Sequence, residues 1–199
     1  RFVFASSGAP LGEVEPPIHE ELPPHPVAPY GASKLAGEGY CSAYNKSFGI
    51  GTVVLRFSNV YGPGSVHKNS VVAKFIRQAI NGETLEIFGD GTQTRDFIYN
   101  DDLVDATILA ATASNIDGET FQIASNRETT VSEMVQQLVT ILQSKGIKEI
   151  CLVNSETRTG DVIRNYSDTT KAKNILGWQP KVDLSSGLAM TVNYFLERQ

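Results

Sequence analysis

Tyr30 and Lys34 stand four residues apart in the stretch "PYGASKLAGEGY", residues 29–40. In a helix, residues i and i+4 share a face, so a phenol oxygen and an ammonium can project into one pocket. A free phenol keeps its proton up to about pH 10, and a neighbouring cation favours the phenolate, which suits proton transfer in catalysis. The same spacing also fits an ordinary exposed Tyr and Lys, so the surroundings must decide. Ser6 and Ser7 end one short apolar run, "FVFA", and Arg56 and Asn59 sit at the end of another, "GTVVLRF". Strand ends are where ligands collect in an open α/β sheet.

The elements that must position these residues follow from pattern. FVFA at 2–5 reads as a short buried strand. An irregular stretch at 8–29 follows, with prolines at 10, 16, 17, 23, 24, 26 and 29. Unstructured segments of that length in a compact domain usually carry function. Residues 30–47 predict a helix closed by Gly49, 51–57 a β-branched strand, and "SNVYGPGS" a loop. "SVVAKFIRQAING" predicts an amphipathic helix with Gly82 just past its end. "LEIFG" and "TRDFIY" predict strands flanking the turn "GDGTQ"; residues 101–114 predict a helix and "ETFQIAS" a strand. Thr130 and Glu133 form a capping box ahead of a helix over 131–145. "EICLVN" predicts a strand, 168–176 a short helix ending at Gly177, and 184–198 a last helix with Leu184, Leu188, Met190, Val192 and Phe195 as its apolar positions. Alternating strands and helices give an α/β protein. The strong parallel strands are too few for a complete doubly wound sheet. No G-x-G-x-x-G occurs, and Gly62, Gly64, Gly89 and Gly91 read as turn glycines.

Composition removes several classes of function. A length of 199 residues with 41% hydrophobic and 20% charged residues is that of one substantial globular domain, not a disordered chain. A formal net charge of −5 with 17 scattered Lys and Arg argues against a nucleic-acid partner. No apolar run reaches the roughly 18–20 residues that cross a bilayer. Cys41 and Cys151 lack metal-ligand spacing and read as reduced thiols in the cytoplasm. His19, His25 and His67 read as loop histidines, and Asp90, Asp101 and Asp102 as turn or cap residues, so no metal site is expected. A chain opening on "RFVFASS" without methionine predicts missing upstream sequence.

The strand-end serine, the Tyr-x-x-x-Lys 23 residues after Ser7, and "LRFSNVYGPG" are followed in order by "IFGDGTQTRDFIYNDDLVDA" (87–106), "RTGDV" (158–162) and "DTTKAKNILGWQP" (168–180). This series resembles the extended short-chain dehydrogenase/reductase family, and within it the nucleotide-sugar epimerases and dehydratases. The resemblance spans nearly the whole chain and lacks the family's N-terminal half with its glycine-rich dinucleotide loop. It implies the C-terminal part of a Rossmann-like doubly wound sheet plus a smaller α/β substrate-binding subdomain. Residues 1–62 would belong to the dinucleotide-binding domain. Residues 63–199 would mainly bind the nucleotide sugar, with about 94–125 returning to the Rossmann core.

NAD is the cofactor the resemblance implies. Tyr30 then becomes the general base, Lys34 its cationic helper and the holder of the nicotinamide ribose, and Ser7 the hydrogen-bonding partner of the reacting hydroxyl. Ser6 and Phe57 join Tyr30 and Lys34 beside the cofactor. Asn59, Arg95 and Arg158 match diphosphate-binding positions, Phe88 a place beside the nucleobase, and Asp161 one near the ribose. Ser70 and Val71 line the same cleft, with a one-residue shift to Asn69 left open. Arg95 as a surface partner of Asp96 or Asp101, Arg158 pairing with Asp161, and Phe88 as ordinary core are the alternatives.

Dehydratases of the family carry an acidic pair directly after the catalytic Ser or Thr, where this chain has Gly8 and Ala9. The glutamate that decarboxylases keep in that stretch is also missing. The resemblance therefore implies a UDP-sugar 4-epimerase, with a nucleotide-sugar oxidoreductase or dehydratase as alternative chemistry. A third reading is an inactive fragment or binding module with negligible affinity for NAD. In the family, the position five residues after the nucleotide-binding glycine tunes sugar size; counting from Gly160 gives Asn165, small enough to admit N-acetylated sugars. The family also implies a homodimer through the Tyr30 helix, with Leu35, Ala43 and Tyr44 on its face.

Overall fold

The computed structural model describes residues 1–157 and 162–198, so Arg158 and Asp161 lie outside the described residues. Along the chain come β1 (Phe2–Ser7), α1 (Pro29–Phe48), β2 (Thr52–Phe57), β3 (Asn59–Tyr61), α2 (Val71–Ile80) and β4 (Leu85–Phe88). They are followed by β5 (Thr94–Arg95), β6 (Phe97–Tyr99), α3 (Asn100–Thr112), β7 (Thr120–Ile123), β8 (Thr129–Thr130), α4 (Val131–Ser144), β9 (Leu152–Ser155) and α5 (Leu184–Leu196). A 3-10 turn at Ala9–Leu11 follows β1, and a short π-type helix at Ala172–Leu176 precedes α5. The result is a mixed, Rossmann-like α/β fold whose larger sheet is parallel, in the order β1-β2-β7.

β2 is the central strand, and its sequence shows why. Thr52 to Arg56 are all buried, so both faces are covered. One face, with Val53 and Leu55, packs on Ala106 and Ala110 of α3, Phe121 and Ile123 of β7, and Trp178. The other face looks at α1, where Thr52 Oγ donates to the Cys41 carbonyl at 2.9 Å. A second core gathers α2, α4 and α5 over β4 and β6, with Phe75, Ile76, Met134, Leu138, Leu188 and Phe195 at its centre. Asp102, 2% exposed, ties the two cores together. Its carboxylate accepts from the Lys181 and Val182 N–H groups, each at 3.0 Å, and its carbonyl accepts from Trp178 Nε1 at 2.9 Å.

Three local expectations are corrected. "SNVYGPGS" is not all loop: Asn59–Tyr61 is a strand, paired in parallel with Phe97–Tyr99. "TRDFIY" is two strands instead of one. Thr94–Arg95 pairs antiparallel with β8, while Phe97–Tyr99 turns to β3, and the break falls at Asp96, which is fully buried and bonded in several directions. On α5, Met190 is 40% exposed, whereas Gly187 and Thr191 are buried. A Cβ at Gly187 would stand 2.2 Å from the Tyr61 hydroxyl, and Thr191 satisfies its own hydroxyl on the Gly187 carbonyl at 2.7 Å. Small size and a local hydrogen bond, not hydrophobicity, put them inside.

Helix ends follow the sequence closely. Pro29 opens α1 and Gly49 closes it in the left-handed region. The Thr130–Glu133 capping box is formed in both directions, at 3.0 and 2.9 Å. α5 begins on Asp183, whose carboxylate accepts from the Ser186 N–H at 3.0 Å and its hydroxyl at 2.7 Å. Those bonds hold the Asp183 carboxyl below its ordinary value of 3.8. Asp183→Ala is expected to cost about 1 kcal/mol of stability at neutral pH. A lowered folded pKa means that this contribution is present above the unfolded value and lost as pH falls through the folded one. Urea unfolding should therefore separate the two proteins at pH 7, and the gap should narrow as pH falls below 3.8.

Candidate active site

The first turn of α1 packs against the carboxyl end of β1. A Cβ on Gly31 would stand 2.5 Å from the Ala9 carbonyl oxygen, so only glycine allows the helix to approach the turn that follows Ser7. Gly37 does the same one face further along, where a Cβ would meet the Phe4 ring at 2.2 Å. These small residues admit the chain's own strand and turn.

Within this junction Lys34 Nζ donates to the Ala5 carbonyl at 2.8 Å and lies 5.7 Å from the centre of the Tyr30 ring. Tyr30 is 57% exposed, with its ring in solvent at the helix start. Ser7 Oγ accepts from the Ala9 N–H at 3.2 Å, which fixes the turn leaving β1. The three predicted catalytic side chains, Ser7, Tyr30 and Lys34, thus flank one strand end. Phe57 is the register partner of Ser7 on β2 and packs on the α3-side core. Ser6 points to the opposite face: it is 3% exposed, and its hydroxyl donates to Glu38 at 2.5 Å.

Directly beyond Phe57 the chain enters a cleft of about 380 Å³. Its walls include Ser58 and Asn59 after β2, Ser70 and Val71 at the start of α2, Lys74, Phe88 at the end of β4, and Arg95. Five of the sequence-predicted substrate residues, Asn59, Ser70, Val71, Phe88 and Arg95, are therefore brought together, and Asn69 lines the cleft as well. Ser70 Oγ is buried there without a hydrogen-bond partner among the described residues. Lys74 Nζ lies 5.7 Å from the centre of the Phe88 ring. Arg95 Nη1 donates to the carbonyls of Thr94 and Val162, both at 2.7 Å. Asn165 is half-buried and stands off the cleft wall, where its backbone N–H donates to Thr94 Oγ at 3.1 Å. Arg158 and Asp161 fall outside the described residues.

Sequence reasoning missed two groups. Glu38 is buried and holds Arg56 through two bonds, at 2.9 and 2.7 Å. The signal was available: Glu38 stands four residues after Lys34 on the same helix face, and an arginine inside the apolar run TVVLRF needs a partner. Asp96 was considered only as a surface partner for Arg95. Its carboxylate is instead fully buried and accepts from the Ser125 N–H at 2.6 Å, the Ser125 hydroxyl at 2.7 Å and the Ser167 N–H at 3.3 Å. Burial pushes its carboxyl above the ordinary 3.8 despite those bonds. Asp90, also expected as a turn residue, accepts from the Thr92 N–H at 2.9 Å and its hydroxyl at 2.6 Å.

A parallel-stranded α/β fold with a phenol and an ammonium at one strand end, and a cleft lined by the residues that follow the neighbouring strand, matches a known class. The profile of the NAD dependent epimerase/dehydratase family covers residues 1–124, and the chain belongs to that family. It is 35% identical over 199 residues to a UDP-glucose 4-epimerase of Mycolicibacterium smegmatis, covering 98% of this chain and 62% of that protein. Among solved structures, UDP-glucose 4-epimerase of Thermotoga maritima with UDP-glucose superposes with a TM-score of 0.90 at 40% identity, covering 99% of this chain and 63% of the other. UDP-glucuronic acid 4-epimerase of Bacillus cereus, in complex with UDP-glucuronic acid and NAD, superposes with a TM-score of 0.89 at 33% identity, covering 100% and 62%. The chain thus spans somewhat less than two thirds of the length of these relatives.

Proposed function

We propose that the full-length protein carrying this chain is an NAD-dependent nucleotide-sugar 4-epimerase acting on UDP-sugars. The observation that carries the reading is the Tyr30–Lys34 pair at the carboxyl end of β1, beside β2, whose following residues Ser58 and Asn59 line the cleft. The cleft's contents suit a diphosphate. The N-terminus of α2 opens on it, Ser70 brings a hydroxyl with no hydrogen-bond partner among the described residues, and Lys74 and Arg95 bring two positive charges against the one carboxylate of Glu86. Its volume lies in the range of small-ligand sites.

A phenol, an ammonium and a hydroxyl gathered at one strand end also fit the nicotinamide ribose and a reacting carbinol. When bound, NAD takes up and returns the hydride of the sugar C4. Lys34 favours the Tyr30 phenolate, that phenolate takes the proton of the 4-hydroxyl and becomes the phenol, and Ser7 hydrogen-bonds the same hydroxyl and orients it. Asn59, Ser70 and Arg95 hold the diphosphate while the 4-keto sugar presents its other face. Tyr30 then returns the proton.

Elimination of water would need an acid after Ser7, and Gly8 and Ala9 provide none. Space is not the obstacle, since among the described residues, its chain neighbours aside, no atom lies within 4 Å of where a Cβ on Gly8 would stand. Relatives named as epimerases of UDP-glucose and UDP-glucuronic acid support the same choice.

The full-length protein is expected to interconvert UDP-glucose and UDP-galactose without net formation of NADH and, by the family's rule for the position that Asn165 occupies, to accept UDP-N-acetylglucosamine. Chromatography of the sugar nucleotides together with absorbance at the NADH band checks both points. Stoichiometric NADH would make the protein an oxidoreductase. Turnover of UDP-glucose without UDP-N-acetylglucosamine would remove the role given to Asn165.

A further inference from the structure

Behind the strand end that bears Ser7 lies a buried polar rung. Ser6, Arg56 and Gln122 are register partners across β1, β2 and β7. Arg56 gives both faces of its fork to Glu38, from Nε to one oxygen at 2.9 Å and from Nη2 to the other at 2.7 Å. The Ser6 hydroxyl donates to the first of those oxygens at 2.5 Å. Glu20, from the long segment after β1, closes the end of the rung: its carboxylate accepts from the Gln122 N–H at 2.7 Å and its carbonyl from Arg56 Nη1 at 3.5 Å. Ser6, Arg56 and Glu38 are 3%, 7% and 9% exposed.

A buried ion pair contributes little net stability compared with an apolar pair of the same shape. What this pair does contribute is location. Tyr30, Lys34 and Glu38 occupy successive turns on one face of α1. Lys34 grips the Ala5 carbonyl and Glu38 grips the Ser6 hydroxyl, so the helix is clamped to two consecutive residues of β1 immediately before Ser7.

We infer that Glu38, held by Arg56, is a positioning residue for the epimerase reaction: it sets the distance between the Tyr30–Lys34 helix and the Ser7 strand end without touching substrate. This inference rests on the reading that Tyr30, Lys34 and Ser7 carry the chemistry.

In the full-length protein, Glu38→Gln is expected to lower kcat for UDP-sugar epimerisation about 10- to 100-fold, the scale of a misplacement near 1 Å, while KM stays within about threefold. The double variant Glu38→Leu/Arg56→Met removes both charges. It is expected to melt like the wild type and to keep the low kcat, which a purely structural pair would not do. Ser6→Ala cuts a single clamp and leaves the ion pair intact, and is expected to lower kcat about tenfold at unchanged Tm. Recovery of kcat in the double variant, a loss confined to KM, or wild-type kcat in Ser6→Ala overturns the inference. Should the wild type convert no UDP-sugar, the epimerase reading fails by itself, and amide hydrogen exchange decides the positioning. Faster exchange at residues 5–11 and 29–34 in Ser6→Ala at unchanged Tm supports it, and unchanged exchange overturns it.

Discussion

Tyr30→Phe in the full-length protein is expected to lower kcat for epimerisation about 10³-fold with KM nearly unchanged. The substitution removes one oxygen from a ring that is more than half exposed, so packing should hardly respond. The ring keeps its place near the Lys34 ammonium, and the contact from Lys34 Nζ to the Ala5 carbonyl does not involve the phenol. What disappears is the group proposed to take and return the 4-hydroxyl proton, and such transfers contribute roughly 10²- to 10⁴-fold. A 10³-fold loss corresponds to about 4 kcal/mol of transition-state stabilisation. Initial rates with UDP-galactose, paired with a thermal melt, check the point. A loss below tenfold with an unchanged melt would place the base on another residue.

Lys34 shows why the sequence could suggest this pair but not its setting. Four-residue spacing on a helix is visible in any sequence; that the ammonium is anchored on a β1 carbonyl is a fact of tertiary packing. The cleft was legible for a different reason. Asn59, Ser70, Val71, Phe88 and Arg95 were named by the family resemblance that the motifs around them carry, and the fold gathers all five around one cleft. Elements with strong periodicity or caps, such as α2 and the Thr130–Glu133 helix start, were read to within a residue or two.

The failures share a cause. β3 is three residues long and owes its existence to pairing with β6, so nothing local announces it. Thr191 and Gly187 are buried because of what Tyr61 and the helix backbone do around them. Glu38 and Asp96 are hard to read because a carboxylate on a helix or beside an arginine is ordinarily solvated; for Glu38 the arginine inside TVVLRF is a sequence signal for a buried partner, whereas the burial of Asp96 shows only in the assembled fold.

Asp96 is where that difference should be measured most clearly in stability. Its carboxylate joins three stretches that no regular element connects: the end of β7 through Ser125, the 162–168 segment through Ser167, and the exit of β2 through Ser58, whose hydroxyl approaches to 3.4 Å. Asp96→Ala strands the Ser125 and Ser167 N–H groups in a fully buried site, and at about 1–3 kcal/mol for each unsatisfied donor the expected loss is about 3–4 kcal/mol. Asp96→Asn keeps the shape and an acceptor oxygen but cannot ionise. Burial raises the wild-type carboxyl above 3.8, so the folded state binds its proton more tightly than the unfolded chain does. By linkage, the stability that Asp96 contributes is fully present below the unfolded value and declines as pH rises through the raised folded value. The wild type should therefore lose stability relative to Asp96→Asn as pH climbs from about 4 across that window, and the two should run parallel above it. Urea unfolding of both proteins at half-unit pH steps tests the sign: a wild type that gains on Asp96→Asn over the same range would mean that the Ser125 and Ser167 bonds outweigh burial and hold the carboxylate ionised.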